Sequence, residues 1–393
     1  MPAFDSRVRA ALAERRSQGL LRQTHTLHGG NQVEIADNER RYLNFSSNDY
    51  LGLATNATIG QAWQQGITVY GNGSGASPLV TGHGGAHQAL QERLCEWLGY
   101  ERAVLFSSGF SANQALLLSL LQQDDVLIQD KLNHASLMEA GVLCPATMKR
   151  FKHNDMAHLR QVLNSIAPET ATLVVTEGVF SMDGDLAPLR GIFELTEQQA
   201  WLAVDDAHGI GVLGEGGRGS CQHAGIKPQV LIVTFGKAFG LSGAAILCHD
   251  ELADYLTQFA RHYVYSTAMP GAQAVALHKA SEIIEQQQWR RDKLAELTAL
   301  YDQLLSDEPG YVATPTPIKP WLIGESDDAV ATASQLKQQG IWLTAIRPPT
   351  VPKGGARLRI TLTANHTKTH IHQLAQAIKG ARKPTGRGHS CTR

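Results

Sequence analysis

The sequence lacks any global excess of charge, since 35 Lys and Arg residues face 36 Asp and Glu residues and the formal net charge is −1. Such a protein has no broad electrostatic attraction for nucleic acid or for a membrane surface. Residues 1–19 are rich in Arg and contain no continuous apolar stretch. They therefore predict neither a signal peptide nor a membrane span. We expect a cytoplasmic protein whose specificity resides in local sites.

Cysteine is scarce as well. The five cysteines are odd in number, widely scattered and free of any C-x-x-C pair: Cys95, Cys144, Cys221, Cys248 and Cys391. This arrangement argues against a disulfide framework and against a structural zinc site. We expect the cysteines to be reduced and mostly structural.

Apolar runs that alternate with helical patterns dominate the middle of the chain. The runs read as buried strands at 103–106, 125–128, 173–176, 201–204 and 230–233. Their alternation with helices predicts right-handed βαβ units and a mostly parallel sheet covered on both faces.

The same reading divides the chain into four parts. Residues 1–45 form an N-terminal arm with a helix and a small hairpin, and residues 46–280 form the large α/β domain. Residues 281–380 form a smaller C-terminal α+β domain. The basic tail at 381–393 has no apolar periodicity, which predicts disorder.

The functional candidates are the polar residues that follow the predicted strands, because open parallel sheets bind ligands outside the C-terminal ends of their strands. These candidates are residues 107–111, 133–136, 177–184 and 205–209, together with Lys237. Residues 107–111 are small and open a helix, whose free backbone N–H groups and dipole suit a phosphate.

Each candidate also has an ordinary structural interpretation. Ser108 at the start of a helix is equally well explained as a plain N-cap. A single His134 or His208 is more often a cap or a structural hydrogen-bonding residue than a catalyst. A lysine between glycines, such as Lys237, is usually a solvated loop residue.

Two other ligand classes are weaker. The pattern Asp205-Asp206-x-His208 resembles part of a metal site but lacks a third anchored ligand. The pattern Gly71-x-Gly73-x-x-Ala76 imitates the dinucleotide fingerprint of an NAD-linked oxidoreductase, but it follows a predicted helix instead of a strand.

Taken together, the strand-end residues match the requirements of pyridoxal 5'-phosphate (PLP): a phosphate seat, a carboxylate, two imidazoles and a lysine. An aspartate beside the pyridine nitrogen keeps that nitrogen protonated, so that the ring withdraws electrons from the substrate α-carbon. The lysine supplies the imine. The sequence therefore predicts a PLP site.

Three segments resemble the signatures of the α-oxoamine synthases, which are fold-type I PLP enzymes. They are residues 178–185 (GVFSMDGD), 205–209 (DDAHG) and 234–240 (TFGKAFG), and the likeness extends from about Arg22 to Leu374. The resemblance implies an aspartate aminotransferase-like fold. It also implies decarboxylative condensation of an amino acid with an acyl thioester.

The resemblance also implies roles for individual residues. Lys237 matches the Schiff-base lysine, Asp205 the partner of the pyridinium nitrogen, and His208 the histidine near the phenolic oxygen. His134 matches the residue stacked on the ring, which also contacts substrate. The other cofactor-holding positions are Ser108, Gly109, Phe110, Ser181 and Thr234. The substrate-binding positions are Arg22, Asn48, Thr350 and Arg359, with Arg359 as the clamp on the amino-acid carboxylate.

The family places its active site at a dimer interface, which implies a homodimer. Ser266 and Thr267 resemble the segment that reaches the phosphate from the partner subunit. The chain has Ala238 where the family often has Gly and Ile210 where it often has Thr. Neither change removes a titrating group.

Residues 44–52 and 344–352 resemble the members of the family that use L-alanine and a pimeloyl thioester in biotin biosynthesis. Members that use glycine, namely 2-amino-3-ketobutyrate CoA ligase and 5-aminolevulinate synthase, remain alternatives. CoA and acyl carrier protein both remain alternatives as the acyl carrier.

Overall fold

The computed structural model describes residues 3–37 and 40–381. The tail predicted to be disordered lies, except for its first residue, outside the described residues. The described helices are α1 Ala3–Ser17, α2 Ala57–Tyr70, α3 Gly85–Leu98, α4 Gly109–Leu120, α5 Ala135–Leu143, α6 Met156–Leu163, α7 Leu189–Thr196, α8 Ser220–Ala224, α9 Asp250–Phe259, α10 Arg261–Val264, α11 Gly271–Gln286, α12 Trp289–Leu305, α13 Ser326–Gln338 and α14 Lys368–Gly380.

The strands fall into three sheets. They are β1 Glu34–Asp37, β2 Arg40–Asn44, β3 Arg102–Phe106, β4 Val126–Asp130, β5 Thr147–Phe151, β6 Thr172–Glu177, β7 Trp201–Asp205, β8 Val230–Thr234, β9 Ala244–Cys248, β10 Ile318–Gly324, β11 Ile341–Trp342, β12 Ala345–Ile346 and β13 Ala356–Thr361. The central sheet has the order β3-β9-β8-β7-β6-β4-β5.

The central sheet is mostly parallel. The pairs β4–β5, β4–β6, β6–β7 and β7–β8 are parallel, whereas β9 runs antiparallel to both β3 and β8. The predicted α/β class with a mostly parallel sheet is confirmed. Strands β5 and β9 and helix α6 were not predicted. Strand β5 is an edge strand with exposed polar residues, so it lacks the apolar run by which the inner strands were recognised.

Helices cover both faces of this sheet. Along β8, Leu231 and Val233 belong to one apolar cluster, while Val230 and Ile232 belong to another. Successive side chains of a strand point to opposite faces, so the two clusters are the cores on either side. This double burial explains why the inner strands read as continuous apolar runs.

The N-terminal hairpin joins the C-terminal part of the chain. Strand β1 pairs antiparallel with β2, as predicted, and β2 also pairs in parallel with β11. A third sheet has the order β10-β13-β12. The predicted domain boundary at residue 280 falls inside α11, and the division into domains stays a prediction.

Helix α1 buries none of its residues within the chain, and its apolar side chains Phe4, Val8 and Leu12 are exposed. Among the described residues, none of the helices has the length and apolarity that a membrane crossing requires.

Candidate active site

The ends of the central strands bring the predicted residues to one edge of the sheet. Asp205 and Glu177 are paired neighbours at the last positions of β7 and β6. Thr234 is the last residue of β8, and Ser108 caps α4 just beyond β3. This is the edge at which parallel sheets bind ligands.

Lys237 lies in the turn that connects β8 to β9. The turn is closed by hydrogen bonds from the Phe235 and Leu241 amides to Gly243 and Phe235 carbonyls, at 2.9 Å each. The Lys237 Nζ lies 3.4 Å from the hydroxyl of Thr234. Burial lowers the pKa of Lys237, and Arg359 adds to this effect while Asp205 and Glu177 oppose it. The amine therefore loses a proton more readily than a solvated lysine.

Asp205 is a buried carboxylate with two fixed oxygens. Its Oδ2 accepts a hydrogen bond of 2.7 Å from the Asn113 amide, and its Oδ1 accepts one of 3.1 Å from the backbone N–H of Ala207. The Asn113 amide also donates to the Ser136 hydroxyl at 2.9 Å. Ser136 belongs to the predicted candidate segment 133–136. Asn113 was not predicted to act in the site, because sequence alone does not reveal which helix faces the strand end.

His134 caps helix α5 and is linked to the same network. Its Nδ1 accepts the Ser136 backbone N–H at 3.2 Å and lies 2.8 Å from the Ser136 hydroxyl. An accepting Nδ1 assigns the proton of the neutral ring to Nε2. The residue as a whole is exposed.

His208 is joined to Arg359 through Tyr50. The fully buried Tyr50 hydroxyl lies 2.6 Å from His208 Nδ1. Arg359 Nη2 donates to the same hydroxyl at 3.4 Å. Burial lowers the pKa of His208 well below its ordinary value, with the Lys237 and Arg359 charges adding to this. The imidazole is therefore neutral at pH 7.

Arg359 is almost entirely buried and held on several sides. Its Nη1 donates to Asn48 Oδ1 at 2.8 Å and to the Thr361 hydroxyl at 3.1 Å, and its Nε donates to the Ser181 carbonyl. The structure thus brings Asn48, Ser181 and Arg359 together. A guanidinium held in this way is pre-organised for a carboxylate.

The helix α4 begins at the edge of the site. The Ser108 hydroxyl accepts the Ser111 backbone N–H at 3.1 Å, so the cap interpretation is correct at the level of geometry. Gly109 approaches the end of β8 so closely that an added Cβ would lie 2.5 Å from Thr234 Cγ2. Only glycine permits this approach. The side chain of Phe110 is 41% exposed.

Asp206 has different hydrogen-bond partners from Asp205 and a structural role. Its carboxylate accepts hydrogen bonds from the Ser220 amide at 2.8 Å and the Ser220 hydroxyl at 2.5 Å. Burial raises its pKa to about 7. Gly219, at φ +90°, lies so close that an added Cβ would be 1.9 Å from Asp206 Oδ2. Within residues 3–37 and 40–381, no cluster of three or more metal-ligating side chains occurs.

Glu177 is a buried carboxyl group beside Asp205. Burial, with the Asp205 charge adding to it, raises the pKa of Glu177 well above its ordinary value. Glu177 therefore keeps its proton to a higher pH than a solvated glutamate. Its Oε1 has no hydrogen-bond partner among the described residues.

Arg22 and Thr350 line a different space from the strand-end residues. Both face a cleft between the segment after α1 and the C-terminal strands, together with Arg15, Lys337 and Arg347. Ser266 and Thr267 lie between α10 and α11 and line a small cavity with His87, Ser107 and His262. The predicted dinucleotide-like pattern at 71–76 follows the end of α2, not a strand.

The chain is similar to proteins of known family. A sequence model of the aminotransferase class I and II family matches residues 40–378. An 8-amino-7-oxononanoate synthase of Vibrio cholerae serotype O1 is 63% identical over 376 residues, which cover 96% of this chain and 97% of that protein. An enzyme of the same name from Vibrio campbellii is 64% identical over 382 residues, covering 97% and 99%.

The chain is also similar to solved structures. Serine palmitoyltransferase of Sphingomonas wittichii is 27% identical with a TM-score of 0.89, covering 97% of each chain. An 8-amino-7-oxononanoate synthase from Francisella tularensis is 29% identical with a TM-score of 0.76, covering 86% of this chain and 96% of that one.

Proposed function

The chain belongs to the aminotransferase class I and II family, and we propose that it condenses L-alanine with a pimeloyl thioester to give 8-amino-7-oxononanoate, CO2 and free thiol in biotin biosynthesis. The observation that carries this proposal is the near-full-length identity with relatives of that name. The geometry of the strand-end site is compatible with this chemistry.

The enzyme depends on PLP, and the residues present fit this group. A buried carboxylate, a lysine whose pKa is lowered and a capped helix N-terminus lie at one edge of the sheet. Asp205 would face the ring nitrogen, and His208 the phenolic oxygen. The residues around α4 would hold the phosphate: Ser108, Gly109 and Phe110. When bound, the cofactor withdraws electron density from the amino-acid α-carbon and so weakens its bonds.

Arg359 binds the carboxylate of L-alanine in this proposal. Its contacts with Asn48, Thr361 and the Ser181 carbonyl fix the plane of the guanidinium. Fixing the carboxylate also fixes which α-carbon bond faces the base, so that proximity and orientation lower the barrier.

Lys237 acts as the general base that removes the proton from the α-carbon. Burial lowers the pKa of its amine, which increases the fraction of free amine at neutral pH. The hydroxyl of Thr234 at 3.4 Å helps to direct Nζ. Lys237 later returns a proton to the product carbon.

The side chains around Asp205 limit competing charge. Burial, with the Asp205 charge adding to it, raises the pKa of Glu177 and so favours its neutral form. His208 is neutral and joined to Tyr50. Asp205 would face a protonated ring nitrogen, and Asn113 keeps its carboxylate in place.

The acyl thioester would enter beside Arg22 and Thr350. These residues share a cleft with Arg15 and Arg347, and several positive charges there suit a phosphate-bearing carrier such as CoA or the prosthetic group of acyl carrier protein.

The enzyme would work as a cytoplasmic homodimer, with Ser266 and Thr267 completing the partner's phosphate site. The exposed Tyr265 beside them, at 78%, supports a contact surface at this segment. Sedimentation or light scattering would test the dimer.

The activity is tested by offering L-alanine or glycine together with pimeloyl-, acetyl- or succinyl-CoA and measuring thiol and CO2 release. The expected result is turnover with L-alanine and the pimeloyl thioester well above every other pair. Preference for glycine with acetyl- or succinyl-CoA would instead identify one of the glycine-using activities.

A further inference from the structure

His153 bridges two carboxylates on separate elements. It follows β5, and its Nδ1 lies 3.0 Å from Asp130 Oδ1 while its Nε2 lies 2.7 Å from Asp185 Oδ2. Carboxylates accept hydrogen bonds and do not donate them when ionised. Both ring nitrogens must therefore carry a proton, and the side chain is an imidazolium.

The charges around His153 favour this state. Burial alone would lower its pKa, but the hydrogen bonds and charges of Asp130 and Asp185 outweigh that effect and raise it to about 10. Asp130 ends β4 with its side chain fully buried, whereas 24% of the His153 side chain is exposed. The Asp130–His153–Asp185 group is thus a short ionic bridge with one cation between two anions.

The Asp130–His153–Asp185 bridge holds one side of a turn formed by residues 179–186, at the edge of the sheet where the active site lies. The ends of this 179–186 turn pair through an antiparallel β-bridge between Val179 and Leu186. The Phe180 ring meets the His153 ring edge-on at 4.4 Å. Asn154 supports the same side, donating to Asp185 at 2.9 Å and to the Leu186 carbonyl at 3.1 Å.

The opposite side of the 179–186 turn holds strand β13. The Ser181 carbonyl accepts the Nε of Arg359, and Asp183 forms an ion pair with Arg357 at 2.6 Å. The Gly184 carbonyl accepts the Thr316 hydroxyl at 2.7 Å. The 179–186 turn therefore connects the central sheet to β13, the strand that carries Arg359.

We propose that His153 is a positioning residue for the amino-acid carboxylate: its bridge to Asp130 and Asp185 fixes the 179–186 turn, and the Ser181 carbonyl in that turn fixes the guanidinium of Arg359. This proposal rests on the function proposed above. His153 contacts neither substrate nor cofactor in this role. Its charge matters because a neutral side chain leaves two facing carboxylates without a cation.

The test compares His153→Gln with the wild type and with His372→Gln, which alters an exposed histidine on α14. The measured quantities are the affinity for L-alanine in the absence of thioester, the KM for pimeloyl-CoA, the PLP content and hydrogen exchange at the Gly184 amide. That amide donates to the Phe180 carbonyl at 2.8 Å and so reports closure of the turn.

We expect His153→Gln to weaken L-alanine binding by about ten- to a hundredfold, since small misplacements of a binding group have effects of this size. The Gly184 amide should exchange faster, while PLP content and the KM for pimeloyl-CoA stay within about twofold of wild type. Rescue of alanine affinity by His153→Lys, which restores a cation, would also support the proposal.

Unchanged alanine affinity in a folded His153→Gln enzyme would overturn the proposal, as would equal losses of alanine, thioester and PLP binding. If His153→Gln does not fold, Asp185→Asn replaces it, with the same expectation and the same refutation. If the wild type prefers glycine, the proposed function fails, and the ratio of variant to wild-type glycine affinity still tests His153.

Discussion

Replacement of Arg359 by Ala should remove recognition of the amino-acid carboxylate while leaving the cofactor bound. Four of the five N–H groups of Arg359 donate to Ser181, Asn48, Thr361 and Tyr50, so one N–H is left for the substrate carboxylate, in a charge-assisted hydrogen bond worth roughly 1.5–3 kcal/mol. Its loss therefore weakens L-alanine binding by roughly 1.5–3 kcal/mol, or about 10- to 100-fold. The wild-type guanidinium is already held by Asn48, Thr361 and Ser181, so little of this energy is spent on ordering it.

The assay titrates wild type and Arg359→Ala with L-alanine and with L-alaninamide, following the absorbance of bound PLP. Wild type should prefer L-alanine strongly, whereas the variant should bind both ligands about equally, because the amide lacks the negative charge. The ratio of the two affinities is measured on one protein, so a partly unfolded fraction cancels. A variant that retains the wild-type preference would refute the role of Arg359.

Two further outcomes follow from the titrating groups. Lys237→Ala should abolish turnover and also the covalent attachment of PLP, measured by mass spectrometry after borohydride reduction; attachment to the variant at the wild-type level would contradict the assignment. The imidazolium of His153, with its folded-state pKa raised from 6.5 to about 10, stabilises the fold fully below pH 6.5 and loses this contribution as pH rises towards 10. The contribution is at most about 5 kcal/mol and smaller for a partly exposed ring. The difference in urea unfolding midpoint between wild type and His153→Gln should therefore become smaller between pH 6 and pH 9.5. A difference that does not change with pH would contradict the charged state of His153.

The sequence predicts the strand-end residues because one physical rule connects them. Asp205 and Lys237 follow apolar runs that are buried on both faces, and parallel strands present their C-terminal ends at one edge. Position along the chain is then enough to predict position in space.

The supporting residues follow no such rule. Asn113 lies within α4 and Tyr50 in an irregular segment, and each reaches its partner only through tertiary packing. Arg359 lies inside β13, not at a strand end, so it was predicted by the family resemblance alone. Strand β5 was missed because Lys149 and Arg150 interrupt its apolar pattern at the sheet edge.

The pairing of β2 with β11 sets an order of events during synthesis. Leu43 and Asn44 pair with Ile341 and Trp342, and the nearby ion pair between Asp37 and Lys337 spans 300 residues. At about 5–20 residues per second, a ribosome that has made β2 needs roughly 15–60 s more to make its partner, β11. During that time, the open edge of β2 is available to other chains. At high expression levels, the nascent chain should therefore be prone to aggregate before it can bind any substrate.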